Sequence, residues 1–144
     1  MNRVVITGVG AVTPIGTGRE ELWQNVKAGV CGIDRITRFD PSEFACQIAA
    51  EVKDFDPTKY MDKRDAKRMD LFVQYAVAGG RLAVEDAKLD MEKEDSERVG
   101  CFMGSGIGGI ATLCEQHTRL LEKGPGKVSP FMIPMMISNM AVGQ

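Results

Sequence analysis

Apolar residues along the chain fall into runs of two kinds, and their spacing predicts the elements. In "RVVITGVGAV", Val4, Val5 and Ile6 stand together without polar alternation. Such a run predicts a strand buried on both faces, as in parallel or mixed sheets covered by helices. Thr17 and Glu20 make a T-x-x-E capping box ahead of a helix with Leu22 and Val26 on one face, and Gly29 is its stop. Residues 30–62 carry turn signals at Asp40-Pro41 and Asp56-Pro57. An irregular stretch is predicted there, with "QIAAEV" as a short strand.

"DKRDAKRMDLFVQYAVAGGRLAVEDAKL" holds the longest helical pattern: Met69, Phe72, Val73, Ala76, Val77, Gly80, Ala83 and Val84 recur at three- and four-residue spacing. Gly79-Gly80 would cost roughly 1 kcal/mol per residue in an exposed helix. On the apolar side they let a neighbour pack close. The charged connector "DMEKEDSERV" leads to a second predicted strand, "VGCFMG". A helix with Ile110, Leu113, Cys114 and Leu121 on one side follows, ended by "KGPGKVSP". "PMMISNMAVGQ" predicts a further helix with Pro134 at its first position and no stop signal, as in a piece of something longer. The order strand, helix, irregular piece, helix, strand, helix predicts an α/β sheet layered with helices.

Composition adds bounds rather than detail. The 144 residues suit one domain, and 44% hydrophobic with 26% charged residues is an ordinary globular balance. A formal net charge of -2 gives no overall pull toward nucleic acid or an anionic membrane, so neither is an expected partner. No apolar run approaches the length of a membrane span, and "MNRVVITG" lacks the apolar core of a secretory signal. Cys31, Cys46, Cys101 and Cys114 form no C-x-x-C pair, so reduced thiols in a cytoplasmic protein are expected.

Four features could carry chemistry. "GSGIGG" satisfies G-x-G-x-x-G through Gly104, Gly106 and Gly109. A dinucleotide site also needs a following strand with an acidic end, and a helix, a Gly/Pro loop and a Met-rich stretch stand there instead. The glycines then mark either a plain bend or the wall of a ligand channel with Ile107 as its one bulky side chain. Cys114 and His117 are i, i+3 neighbours, but the apolar surroundings of Cys114 assign it to the core. A single histidine cannot build a two-histidine site or a histidine-rich metal site. Lys63, Arg64, Lys67 and Arg68 share roughly 140° of helical arc opposite Met69, Phe72 and Val73. That is either a solvated face or a site for an acidic partner, and cations crowded into a first turn against the helix dipole favour the partner. Met132, Met135, Met136 and Met140 suit either core packing or a pocket for a flexible lipid chain.

"RVVITGVGAVTPIG", "RFDPSEF", "KRMDLFVQYAVAGGRLAVEDA", "GSGIGGI" and "KVSPFMIPMMISNMAVGQ", in that order, resemble the N-terminal part of the β-ketoacyl-acyl-carrier-protein synthases, most closely the elongating type II enzymes. The resemblance runs from residue 3 to Gln144. It implies the first half of a thiolase-like fold, layered αβαβα in the full enzyme and usually a homodimer. It implies a cofactor-free Claisen condensation of an acyl thioester with malonyl-carrier protein in fatty acid elongation. By resemblance the nucleophilic cysteine falls shortly after Gln144 and the two histidines in the second half, so no catalytic residue is expected within 1–144, and the piece alone is expected to be inactive.

Supporting roles carry over residue by residue. Arg64, Lys67 and Arg68 match the dock for the acidic helix of acyl carrier protein, with Lys127 as a second basic position. Gly126 stands where relatives can carry a further base. Ile107 matches the side chain gating the acyl channel, and Met132 one that reaches the acyl pocket across the dimer interface. Gly104, Gly106, Gly108 and Gly109 form the backbone turn beside them. The rival expectation is a non-catalytic carrier-protein or acyl-chain binding module, akin to a chain-length factor. A cysteine-containing continuation past Gln144 would favour the enzyme, and a stop codon there the binding module.

Overall fold

The computed structural model describes residues 3–144, and its first segment departs from the predicted buried strand. Residues 3–11 form no strand and no helix, and Val4 is 91% exposed. Among the described residues the only ladders are two antiparallel pairs. β1 (Val12–Thr13) pairs with β2 (Gly16–Thr17), and β3 (Ile33–Arg35) with β4 (Ile48–Ala50). A strand apolar on both faces is stable only with neighbours along its edges and above it. Here the backbone N–H of Val9 instead donates to the Asp86 carboxylate at 2.9 Å.

The chain divides into two compact units. The first comprises residues 3–56 and Arg81–Leu89. In it α1 (Arg19–Lys27) starts one residue later than the capping box predicts. Gly18 takes the cap position, and Glu21 rather than Glu20 reaches back, accepting from the Thr17 N–H at 2.8 Å. The predicted stop holds: Gly29, with φ of 69°, follows the last turn. Gly8 lies directly against the C-terminal turns of α3 (Leu71–Ala87), where a Cβ would collide with the Ala83 carbonyl and come within 2.7 Å of the Ala87 Cβ. Arg19 and Asp86 pair at 2.9 Å on the same helix end.

"QIAAEV" forms β4 as predicted, and β3 is the partner that the sequence left inside the irregular stretch. At the predicted Asp40-Pro41 turn, the Ser42 N–H donates to Asp40 at 3.1 Å, and the Phe39 and Phe44 rings meet edge-on. Beyond this hairpin the Glu51 carboxylate accepts from the Thr37 hydroxyl at 2.7 Å and from the Thr37 and Arg38 N–H groups. These bonds, the Thr37 hydroxyl first, hold its carboxyl below the usual carboxylate range. A depressed folded-state pKa stabilises at pH above the unfolded value, and that contribution fades as pH falls through the folded one. Protection of the Thr37 amide from hydrogen exchange should therefore fall on acidification. Glu51→Gln should flatten that dependence, and an unchanged acid response would exclude the role.

The second unit comprises Pro57–Gly80 and Asp90–Gln144. The single long helix predicted over this region is interrupted: α2 (Lys63–Ala66) is one turn, and α3 begins at Leu71. The break lies at Asp70, whose carboxylate sits 3.4 Å from the Phe72 N–H at the start of α3 and offers a local alternative to helix continuation. Met61, Ala66, Met69 and Val73 are buried as a core, with Tyr60, Phe72, Val77 and Met140 packed on it. Predicted apolar positions Met69 and Val73 therefore do face inward. "VGCFMG" forms no strand among the described residues, and Phe102 is 96% exposed.

α4 (Ile110–Lys123) occupies its predicted span and ends at Gly124, with φ of 78°. Its buried face, however, is Thr112 and Gln116, while Ile110, Leu113, Cys114 and Leu121 point outward. The core assignment of Cys114 is thereby overturned. Hydrogen bonding explains the inversion: Thr112 donates to Asp70, and Gln116 accepts from the Ser129 N–H at 2.7 Å. α5 (Met132–Met136) takes up the Met-rich segment, with Pro134 as its third residue rather than its first.

Candidate carrier-protein dock and channel turn

Two features of the second unit correspond to the residues singled out by sequence. The first is a surface cleft of about 680 Å³ lined by Asp62, Lys63, Arg64, Asp65 and Lys67. One helical turn followed by the bend at Lys67 crowds these side chains together, rather than a single long helical arc. Asp62 and Asp65 share the cleft, so the cluster is not of one sign. Among the described residues, none of Lys63, Arg64 and Lys67 engages in an ion pair, whereas Arg19, Lys53, Lys93 and Arg119 do. The cleft therefore offers cations whose charge is not already cancelled within contact distance.

Arg68, also exposed, lies with its guanidinium carbon 5.1 Å from the centre of the Phe131 ring. Phe131 immediately precedes α5 and stands four residues after Lys127, which is exposed at the end of the single 3-10 turn Pro125–Lys127. The cation–π contact thus brings the main basic cluster to the segment carrying the second basic position.

The second feature is the glycine turn. Gly108 has φ of 77°, a conformation that favours glycine, and a Cβ there would strike the Met136 carbonyl. Gly109 has an ordinary φ, but its Cβ would strike the Met135 carbonyl and lie 2.9 Å from the Met136 Cα. The Gly109 N–H donates to the Met136 carbonyl at 2.9 Å. Gly104 and Gly106 have open space around them among the described residues. Close backbone approach therefore belongs to Gly108 and Gly109, and the G-x-G-x-x-G spacing does not describe what the turn needs. Ile107 projects from this turn, 73% exposed, and Met132 is half-buried at the start of α5. The Gly109–Met136 bond joins the two elements that bear them.

Asp70, which sequence reasoning passed over, organises both elements. Its carboxylate is buried and accepts from the Thr112 N–H at 3.0 Å and the Thr112 hydroxyl at 2.6 Å. No cation pairs with it among the described residues. The first turns of α3 and α4 converge on it instead, and the positive ends of both helices favour an anion there. An acidic residue directly before an apolar helical run was the available signal. Among the described residues no three His, Cys, Asp or Glu side chains assemble as a metal site, and no helix is long and apolar enough to cross a membrane.

The chain matches the family model "Beta-ketoacyl synthase, N-terminal domain" over residues 1–144, and it belongs to that family. It is 51% identical over 141 residues to 3-oxoacyl-[acyl-carrier-protein] synthase 2 of Synechocystis sp., covering 98% of this chain and 34% of that protein. Among solved structures it is similar to the ishigamide ketosynthase/chain length factor, with a TM-score of 0.80 and 31% identity over 95% of this chain and 34% of the other. It is also similar to AntDE:AntF, a type II PKS acyl-carrier protein in complex with its ketosynthase bound to the hexaketide. There the TM-score is 0.78 and the identity 25%, over 97% of this chain and 36% of the other. The chain thus spans about a third of the length of these relatives. Its fold is the first half of the thiolase-like α/β fold, as its motifs imply.

Proposed function

We propose that this chain is the N-terminal part of an elongating 3-oxoacyl-carrier-protein synthase, supplying the carrier-protein dock, the acyl-channel gate and part of a homodimer surface. In the reaction an acyl group passes from a carrier-protein thioester to a cysteine thiolate, releasing the carrier thiol. Malonyl-carrier protein then loses carbon dioxide, and the resulting carbanion attacks the acyl thioester, forming a carbon–carbon bond and expelling the thiolate. By the family resemblance, the nucleophile and the decarboxylating histidines are expected outside residues 1–144. Here Arg64, Lys67, Arg68 and Lys127 steer and hold the acidic carrier, while Ile107 and Met132 bound the acyl chain on elements joined at Gly109.

The observation that carries this is the cleft of unpaired cations, in a chain 51% identical to a synthase named for its carrier protein. Changing Arg64, Lys67 and Arg68 together to glutamate is expected to weaken acyl-carrier-protein binding by roughly ten-fold or more at low ionic strength, with a smaller difference at high salt. Unchanged affinity at low salt would overturn the docking role. A second reading, a non-catalytic chain-length-factor-like partner, is favoured by the fold similarity to a ketosynthase/chain length factor. Condensation by the protein as its gene encodes it, when assayed without a partner synthase, would exclude that reading.

A further inference from the structure

We propose that Phe131 is a positioning residue for the dock: its ring holds the Arg68 guanidinium in place without neutralising it. This rests on the reading of the basic cluster as a carrier-protein dock. Arg19 and Arg119 are fixed by carboxylates, Asp86 at 2.9 Å and Glu115 at 2.6 Å, which cancel their charge. The contact of Arg68 is an aromatic face, 5.1 Å away. A ring orients a guanidinium through its quadrupole and leaves the N–H fork free for an incoming carboxylate. An exposed arginine otherwise samples many rotamers, and binding must freeze them.

The ring itself stands on a fixed base. The Phe131 N–H donates to the Ser129 hydroxyl at 3.2 Å, and the Ser129 N–H to the buried Gln116 side chain at 2.7 Å. The Phe131 carbonyl accepts from the Met135 N–H at 3.0 Å in the first turn of α5. Rigidity in α4 is thereby passed through Ser129 and Phe131 to a cation at the surface. The partner surface it suits is an acidic helix whose carboxylates approach in a set direction.

The test measures acyl-carrier-protein affinity at low salt on the protein as its gene encodes it. Phe131→Leu is expected to weaken binding roughly three-fold, and Phe131→Tyr, which keeps a ring face, to stay near wild type. Arg68→Gln should weaken binding, and adding Phe131→Leu to it should cost nothing more. A Phe131→Leu protein that keeps its response to Lys127→Gln has kept its dock, and loss of that response would assign Phe131 a merely structural role. If Arg68→Gln is silent, the docking role fails. If Arg68→Gln weakens binding while Phe131→Leu is silent or simply additive with it, the dock stands and the positioning role is overturned.

Discussion

Replacing Asp70 by alanine is expected to destabilise the protein by about 3 kcal/mol, because three buried or half-buried donors lose one acceptor at once. The carboxylate takes the Thr112 hydroxyl at 2.6 Å, the Thr112 N–H at 3.0 Å and lies 3.4 Å from the Phe72 N–H. Thr112 is 5% exposed, so water cannot readily take over. Asp70→Asn keeps an acceptor of the same shape and should lose about 1 kcal/mol, the charge-assisted part. Urea unfolding measures both, and hydrogen exchange at Thr112 locates the effect. A Thr112 amide equally protected in wild type and Asp70→Ala would show that the carboxylate does not hold the start of α4.

Gly109→Ala is expected to cost about 2–3 kcal/mol, an overpacking effect rather than a conformational one. Its φ of −80° suits any residue, but the added methyl would strike the Met135 carbonyl, with the Met136 Cα at 2.9 Å and Asp70 Oδ2 at 3.1 Å. Two of these neighbours are backbone and cannot rotate aside, so α5 must withdraw and strain the bond from Gly109 to Met136. Gly104→Ala and Gly106→Ala serve as controls within the same motif, since neither Cβ would meet an atom within 4 Å. They should fall within about 0.5 kcal/mol of wild type. Equal costs at all three positions in urea unfolding would mean that the motif acts through backbone freedom and not through contact with α5.

Local chemistry was the part of the fold legible in the sequence. Gly29 and Gly124 end helices where predicted, Asp40-Pro41 turns, and "QIAAEV" is extended. Each of these depends on neighbours a few residues away. Errors arose where burial had to be inferred from apolarity alone. Val4 to Ile6 and Phe102 have the composition of buried strands, yet no pairing partner lies among the described residues. The helix through Lys63–Ala87 read as continuous because its apolar spacing passes through the break, and only the side chain of Asp70 reveals it. At the site, the basic residues were legible as a charge cluster. Phe131 and Asp70 were not, since their partners, Arg68 and Thr112, lie 63 and 42 positions away.

The inverted face of α4 bears on how this chain should be redesigned. A hydropathy profile would nominate Leu121 for preservation and Gln116 for replacement by leucine. The contacts reverse the second choice: Gln116 is buried and accepts from the Ser129 N–H on which the segment to Phe131 is mounted. Engineering that ranks positions by apolarity alone would therefore edit Gln116, a position whose side chain the fold uses. A library on this helix would hold Thr112 and Gln116 fixed, since each anchors a neighbouring segment through a hydrogen bond.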